Sequence, residues 1–249
     1  MRVLVTRPGH QQSYFVTGVR NLGLTPVCLP TIDILPTDVD IDLEVIRAAG
    51  FVLFTSRNAV EFAHLINPLP WNTNNILSIG PATATALNNH NQALMSKPIE
   101  PYTSEAFLND FEQTMSVAES HTKRAVIIKG EGGRQLLEES LHDKGIELTT
   151  YSVYRRLCPA VPSATVIDIF GDGNVDIIAS TSDDGLINLL QIAGMDYRDT
   201  VLNAQLIVNS ERASNTALKL GFKKPPLVAN PPGDKGQLQA LQNYLNQHT

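Results

Sequence analysis

Six short apolar runs punctuate the chain: Val3–Thr6, Phe51–Thr55, Ile76–Ile79, Ala125–Lys129, Asp176–Ser180 and Gln205–Val208. Each is four or five residues long, and all but Asp176–Ser180 are mostly Val, Ile, Leu or Phe. Runs that are apolar at nearly every position, rather than at every second one, suit strands covered on both faces. A small-residue or polar loop follows each run, and then a stretch of helix length. This alternation predicts βαβα units and an α/β fold of parallel sheets flanked by helices.

The helix signals are local and physical. Ser56 stands just before Arg57–Leu65, where its hydroxyl can accept from free N–H groups of the first turn. Val60, Phe62, Ala63 and Ile66 give that helix an apolar face. Gln135–Lys144 carries Leu136, Leu137 and Leu141, and Gly145 follows where a left-handed cap ends a helix. Asn21-Leu22-Gly23 closes the first helix in the same way.

The pattern also repeats. Ala82–Leu87 resembles Ala213–Leu218 at an offset of 131, and Thr55-Ser56 resembles Thr181-Ser182 at an offset of 126. Val3–Gly23 parallels Val126–Gly145 as strand, loop, helix and glycine, and Lys97–Phe107 has a counterpart near Pro225–Leu238. Four matches in one order predict two similar α/β lobes. Thr25–Pro36, with three prolines, and Glu147–Pro159, rich in Thr, Tyr and Val, read as extended chain. Pairing of these two would make a two-stranded antiparallel linker, with proline at its edges. The expected organisation is lobe one from 1–36 plus 159–249, lobe two from 37–146, and linker strands near 25–36 and 147–158.

Composition narrows the function. Hydrophobic residues make up 43% and charged residues 18%, so a packed core rather than disorder is expected. The formal net charge of −6 counts against nucleic-acid or anionic-membrane partners. An anionic small ligand remains compatible, because local arginines and helix N-termini bind carboxylates whatever the net charge. No apolar run is long enough to span a bilayer. The opening Met1–Pro8 reads as a strand entering a loop without the apolar core of a secretory signal, so a cytoplasmic protein is expected. Cys28 and Cys158 give no disulfide framework. The six histidines show no metal-ligand spacing, so no metal is expected. Gly130-Glu131-Gly132-Gly133-Arg134 matches neither phosphate-loop nor dinucleotide fingerprints, so neither ATP nor NAD is expected.

Several motifs, taken in order, carry a family resemblance: Val3-Leu4-Val5-Thr6-Arg7-Pro8, Phe54-Thr55-Ser56-Arg57-Asn58-Ala59-Val60, Ser78-Ile79-Gly80-Pro81-Ala82-Thr83 and Ser104–Leu108. Gly130–Arg134, Tyr151-Ser152-Val153-Tyr154-Arg155-Arg156 and Val208–Arg212 continue it. Together they resemble uroporphyrinogen-III synthases over nearly the whole chain. The resemblance implies two lobes with the first interrupted, hydroxymethylbilane as substrate, uroporphyrinogen III and water as products, no cofactor, and a site in the cleft between lobes. It also implies a monomer that takes its substrate from an upstream hydroxymethylbilane synthase.

The same resemblance makes Tyr154 the candidate proton donor, matching a tyrosine at the end of the family's linker. An ordinary tyrosine is a neutral donor at pH 7. The candidate substrate contacts are Arg7, Ser56, Asn58, Gly80, Thr83, Ser104, Arg134, Ser182 and Ser210. The polar ones sit at strand-to-helix junctions, where free N–H groups favour carboxylates; the same residues also serve as plain helix caps. Arg7 and Arg134 follow strands and can pair with substrate carboxylates or with protein acids. Asp183-Asp184 reads as a solvated or capping pair. Glu211-Arg212 stands where the first repeat has Gly80-Pro81, and Asp183-Asp184-Gly185 where it has Arg57-Asn58-Ala59, so the second repeat is eroded. A second reading is a two-lobe module that binds a tetrapyrrole or other polyanion without turnover; a periplasmic solute-binding protein is a third.

Overall fold

The computed structural model describes residues 1–73, 75–116, 124–133, 135–173 and 175–248. Its strands are β1 (Arg2–Val5), β2 (Thr25–Cys28), β3 (Asp33–Pro36), β4 (Phe51–Phe54), β5 (Ile76–Ser78), β6 (Arg124–Gly130), β7 (Glu147–Leu157), β8 (Ile177–Ala179), β9 (Gln205–Val208) and β10 (Leu227–Val228). They form two five-stranded sheets, ordered β10-β9-β8-β1-β2 and β3-β7-β6-β4-β5. Pairing is parallel for β1 with β2 and β8, β9 with β8 and β10, β4 with β5 and β6, and β6 with β7.

The helices are α1 (Ser13–Asn21), α2 (Leu43–Ala48), α3 (Arg57–Ile66), α4 (Pro81–Asn89), α5 (Ser104–Ser116), α6 (Leu136–Asp143), α7 (Ser163–Phe170), α8 (Asp183–Ala193), α9 (Arg198–Asn203), α10 (Glu211–Leu220) and α11 (Asp234–His248). They explain why the central runs are apolar throughout. Successive strand residues point to opposite faces. In the first sheet Leu4, Ile178 and Leu206 pack with α7 to α10, while Val3, Val5, Ile177 and Ile207 pack with α1 and α11. In the second, Val52, Phe54, Val126 and Ile128 pack with α2 to α4, while Phe51, Leu53, Ala125 and Ile127 pack with α5 and α6.

Compact packing divides the chain into Met1–Asp33 with Leu157–Thr249, and Ile34–Arg156. The two sheets share one spatial order, β9-β8-β1-β2 and β5-β4-β6-β7. The repeated segments of the sequence fall on corresponding strands: β4 with β8, β5 with β9, and β1 with β6. The second unit is therefore a circular permutation of the first, beginning at its third strand.

The linker differs from its expected form. Thr25–Pro36 is two strands, not one. Thr25–Cys28 lies parallel to β1 at the edge of the first sheet, where Pro26 needs no ladder partner. Only Asp33–Pro36 neighbours β7. Glu147–Ser152 extends the second sheet, pairing residue for residue with Arg124–Lys129. The edge of β6 needs that partner, because unpaired buried N–H and C=O groups are costly. Among the described residues, no helix is long and apolar enough to cross a membrane.

Candidate active site

At the carboxyl ends of β4, β6 and β7 the second unit holds a cavity of about 390 Å³, with Ser56, Ser104, Lys129, Gly130, Tyr154 and Arg156 in its wall. Strand ends of this kind are where open α/β sheets take ligands. A wider hollow of about 1160 Å³ runs beside α6 and the first half of β7. It contains neither Ser56, Tyr154 nor Arg156, all three of which line the smaller cavity.

The placing of Tyr154 starts from a fault in the ladder. Ser152 pairs with Lys129 but Tyr154 pairs with Gly130, so β7 carries one extra residue there. Such a bulge bends a strand and re-aims its side chains. The ring of Tyr154 passes directly over Gly130: a Cβ at that position would stand 2.5 Å from Cζ. Only glycine leaves this space. The backbone N–H of Glu131 donates to Tyr154 O at 2.7 Å, and the ring stacks on Phe62 with centroids 5.6 Å apart. Tyr154 is 3% exposed, yet its hydroxyl has polar company. Tyr154 Oη lies 3.2 Å from Ser56 Oγ and accepts from Arg156 Nη2 at 3.1 Å. Ser56 Oγ in turn accepts from Ala59 N at 3.1 Å, capping α3. Lys129 Nζ, the other described cation of the wall, is paired with Glu138.

The family model described as Uroporphyrinogen-III synthase HemD matches residues 13–234. The chain belongs to the uroporphyrinogen-III synthase family. Its relatives agree. The uroporphyrinogen-III synthase of Salmonella typhimurium is 30% identical over 254 residues, covering 97% of this chain and all of that one. That of Escherichia coli is 28% identical over 252 residues, again covering 97% and 100%. In fold, the uroporphyrinogen-III synthetase structure from Helicobacter pylori matches with a TM-score of 0.67 at 14% identity, covering 98% of this chain and 100% of that one. A mutant uroporphyrinogen III synthase from Thermus thermophilus gives 0.61 at 17%, covering 99% of each.

The candidate substrate contacts fall into distinct settings. Ser56 meets Tyr154, and Ser104 shares their cavity. Ser104 is the first residue of α5 but not its cap; the preceding Thr103 Oγ1 accepts from Ala106 N at 3.1 Å. Asn58 is half-buried in the first turn of α3. Gly80 is the N-cap residue of α4 with no side-chain cap bond, and Thr83 is buried in the first turn, its N–H donating to Gly80 O at 3.1 Å. Arg134 lies outside the described residues. In the other unit, Ser182 caps α8 through Gly185 N and Ser210 caps α10 through Ala213 N. Asp183 is the first residue of α8; its Oδ2 accepts from Thr216 Oγ1 at 3.3 Å and lies 3.7 Å from Arg212 Nε.

Arg7 proves to be interior. It is 2% exposed, bonded through Nη1 to Asp234 and through Nη2 to Gln237 Oε1 at 2.5 Å, with its guanidinium 3.9 Å from the centroid of the Phe15 ring. Burial pushes its pKa down and Asp234 opposes that shift; an arginine stays charged throughout. Both ends of its fork are occupied by protein, so its evident work is to tie the end of β1 to α11. Among the described residues, no group of three or more His, Cys, Asp or Glu is placed to hold a metal ion.

Sequence reading passed over Gly130, Thr103, Lys129 and Arg156 as individual candidates. Arg156 had a usable signal: two residues beyond Tyr154 on a strand, it shares that residue's face.

Proposed function

We propose that this protein is a uroporphyrinogen-III synthase in activity as well as family: a cofactor-free cyclising hydro-lyase that closes hydroxymethylbilane into uroporphyrinogen III. The observation that carries the reading is a tyrosine hydroxyl held between a serine and an arginine in the wall of a cavity, in a chain of this family.

The chemistry asks for little beyond geometry and one proton. The hydroxymethyl group on the terminal ring of the substrate leaves as water, generating an azafulvenium cation. The substituted α-carbon of the last ring attacks it to give a spiro intermediate. Fragmentation and recombination then invert that ring. Without an enzyme the chain closes uninverted, so holding the reacting ends in register is the main task. Tyr154 supplies the proton to the departing hydroxyl. Helix starts suit the substrate's eight carboxylates. Those at Ser56, Gly80 with Thr83, and Ser104 belong to the second unit; those at Ser182 and Ser210 belong to the first. The reading includes a cytoplasmic monomer supplied with substrate by the enzyme that makes it.

The test is to generate hydroxymethylbilane with its synthase, add this protein, oxidise, and separate the porphyrin isomers. A dominant type III isomer is expected. Type I alone, from a folded sample, would leave the non-catalytic tetrapyrrole-binding module as the better account.

Gly130→Ala gives a sharper check of the same geometry. The new methyl group would stand 2.5 Å from Tyr154 Cζ and 2.9 Å from Oη, so the ring must move. A stability loss of about 1–3 kcal/mol is expected from overpacking. Type III formation should fall by about 10²-fold, as for any ~1 Å misplacement of a reacting group. A thermal melt and the isomer assay measure the two effects; wild-type rates would place the Tyr154 hydroxyl outside the reaction.

A further inference from the structure

We infer that Arg156 and Ser56 form a two-donor cradle for the negative charge left on Tyr154 Oη once its proton has gone to the substrate. This rests on the reading of Tyr154 as proton donor and adds to it a residue, Arg156, that works through the phenol. Arg156 is thus a positioning residue.

The inference comes from counting protons and lone pairs around one oxygen. A phenol oxygen carries one proton and can accept two hydrogen bonds. A guanidinium only donates, so the 3.1 Å contact from Arg156 Nη2 fills one acceptor place. The second neighbour is Ser56 Oγ at 3.2 Å. That oxygen already accepts the Ala59 N–H, and its own proton has Tyr154 Oη within reach. With Ser56 donating, Oη accepts twice and the phenol proton is turned away from both donors. The wall in which all three side chains stand leaves the cavity as its outlet.

The same arrangement serves the step that follows. The phenol O–H bond breaks as the substrate's C–O bond breaks; the oxygen leaves with the bonding pair, takes the proton and departs as water. The substrate is left as the azafulvenium cation and Tyr154 as the phenolate. When the last C–C bond has formed, the ring α-carbon that made it loses its proton, which restores the phenol. During the interval the phenolate oxygen faces one cationic donor and one hydroxyl donor, already in place. Fixed donors aimed where charge develops are the strongest single device of this kind. Lys129 is not a substitute, because its ammonium is engaged by Glu138.

The experiment is a double-mutant cycle with prepared hydroxymethylbilane, measuring kcat, KM and the isomer ratio for wild type, Tyr154→Phe, Arg156→Met and the double variant. Arg156 is an exposed residue, so Arg156→Met should fold, and a melt checks it. Arg156→Met is expected to lower kcat by about 10²-fold, as loss of one such donor does, with KM nearly unchanged. In the Tyr154→Phe background the same change should cost almost nothing. Arg156→Lys, which keeps a cationic donor, should recover part of the rate. An equal loss in both backgrounds, or a raised KM with unchanged kcat, would overturn the inference and make Arg156 a direct contact for a substrate carboxylate. In that case type III formation by wild type still stands. Absence of type III isomer from wild type would remove the functional reading and the cradle together.

Discussion

Tyr154→Phe should leave a folded protein that makes type III isomer about 10²–10⁴ times more slowly, the usual contribution of one placed proton donor. The change removes a single oxygen. The ring keeps its stack on Phe62 and its place over Gly130, because both involve carbon atoms that phenylalanine retains. Ser56 keeps its bond from Ala59 N, so the cap of α3 survives. The stability cost is that of the hydrogen bonds to Oη, about 1 kcal/mol. Activity and stability therefore separate, which distinguishes a donor from a packing residue. The isomer ratio adds a second signal: as enzymic closure slows, uncatalysed closure overtakes it and type I accumulates. Steady-state kinetics with isomer separation, beside a thermal melt, measures all three. A variant with wild-type kcat would end the proton role of Tyr154, while leaving the orienting role of the helix starts untouched.

What the sequence disclosed about this site follows from the range over which each feature is determined. The central strands were legible because burial on both faces writes a continuous apolar run, as in Phe51–Phe54 and Leu206–Val208. Ser56, Ser182 and Ser210 were legible as helix caps because capping is settled within four residues. Thr103 and Ser104 stand side by side with the same chemistry, and pattern alone does not choose between them; the structure gives the cap to Thr103. The linker was harder. Prolines in Thr25–Pro36 mark an extended edge but not whose edge, and the segment serves two sheets in turn. Least legible was the need for glycine at position 130. It arises from a bulge in β7 and a ring crossing a neighbouring strand, both set by contacts far apart in the chain. The permuted repeat, by contrast, showed itself through weak matches, because order along the chain carries information that no single match does.

Arg7 has two readings in the sequence, substrate ligand and structural ion pair, and Arg7→Met decides between them. Following a strand, it can pair with a substrate carboxylate or with a protein acid. Its surroundings are those of a buried tie. Losing the guanidinium leaves Gln237 Oε1 without that donor in a fully buried side chain, and leaves Asp234 without its cation. Breaking a buried pair by removing one partner costs about 3–5 kcal/mol. Asp234 keeps 32% of its side chain exposed and can regain water, so the low end, about 3 kcal/mol, is expected. For a chain of this size that corresponds to a fall of roughly 6–12 °C in Tm. Arg7→Lys should recover only part of it, because a single ammonium does not reproduce the fork that reaches Asp234 and Gln237 together. At a temperature where Arg7→Met is folded, its KM for hydroxymethylbilane should match wild type. The opposite pattern, an unchanged melt with a raised KM, would return Arg7 to the substrate. It would also mean that the ion pair with Asp234 opens when the bilane binds, since the same guanidinium cannot fill both places at once.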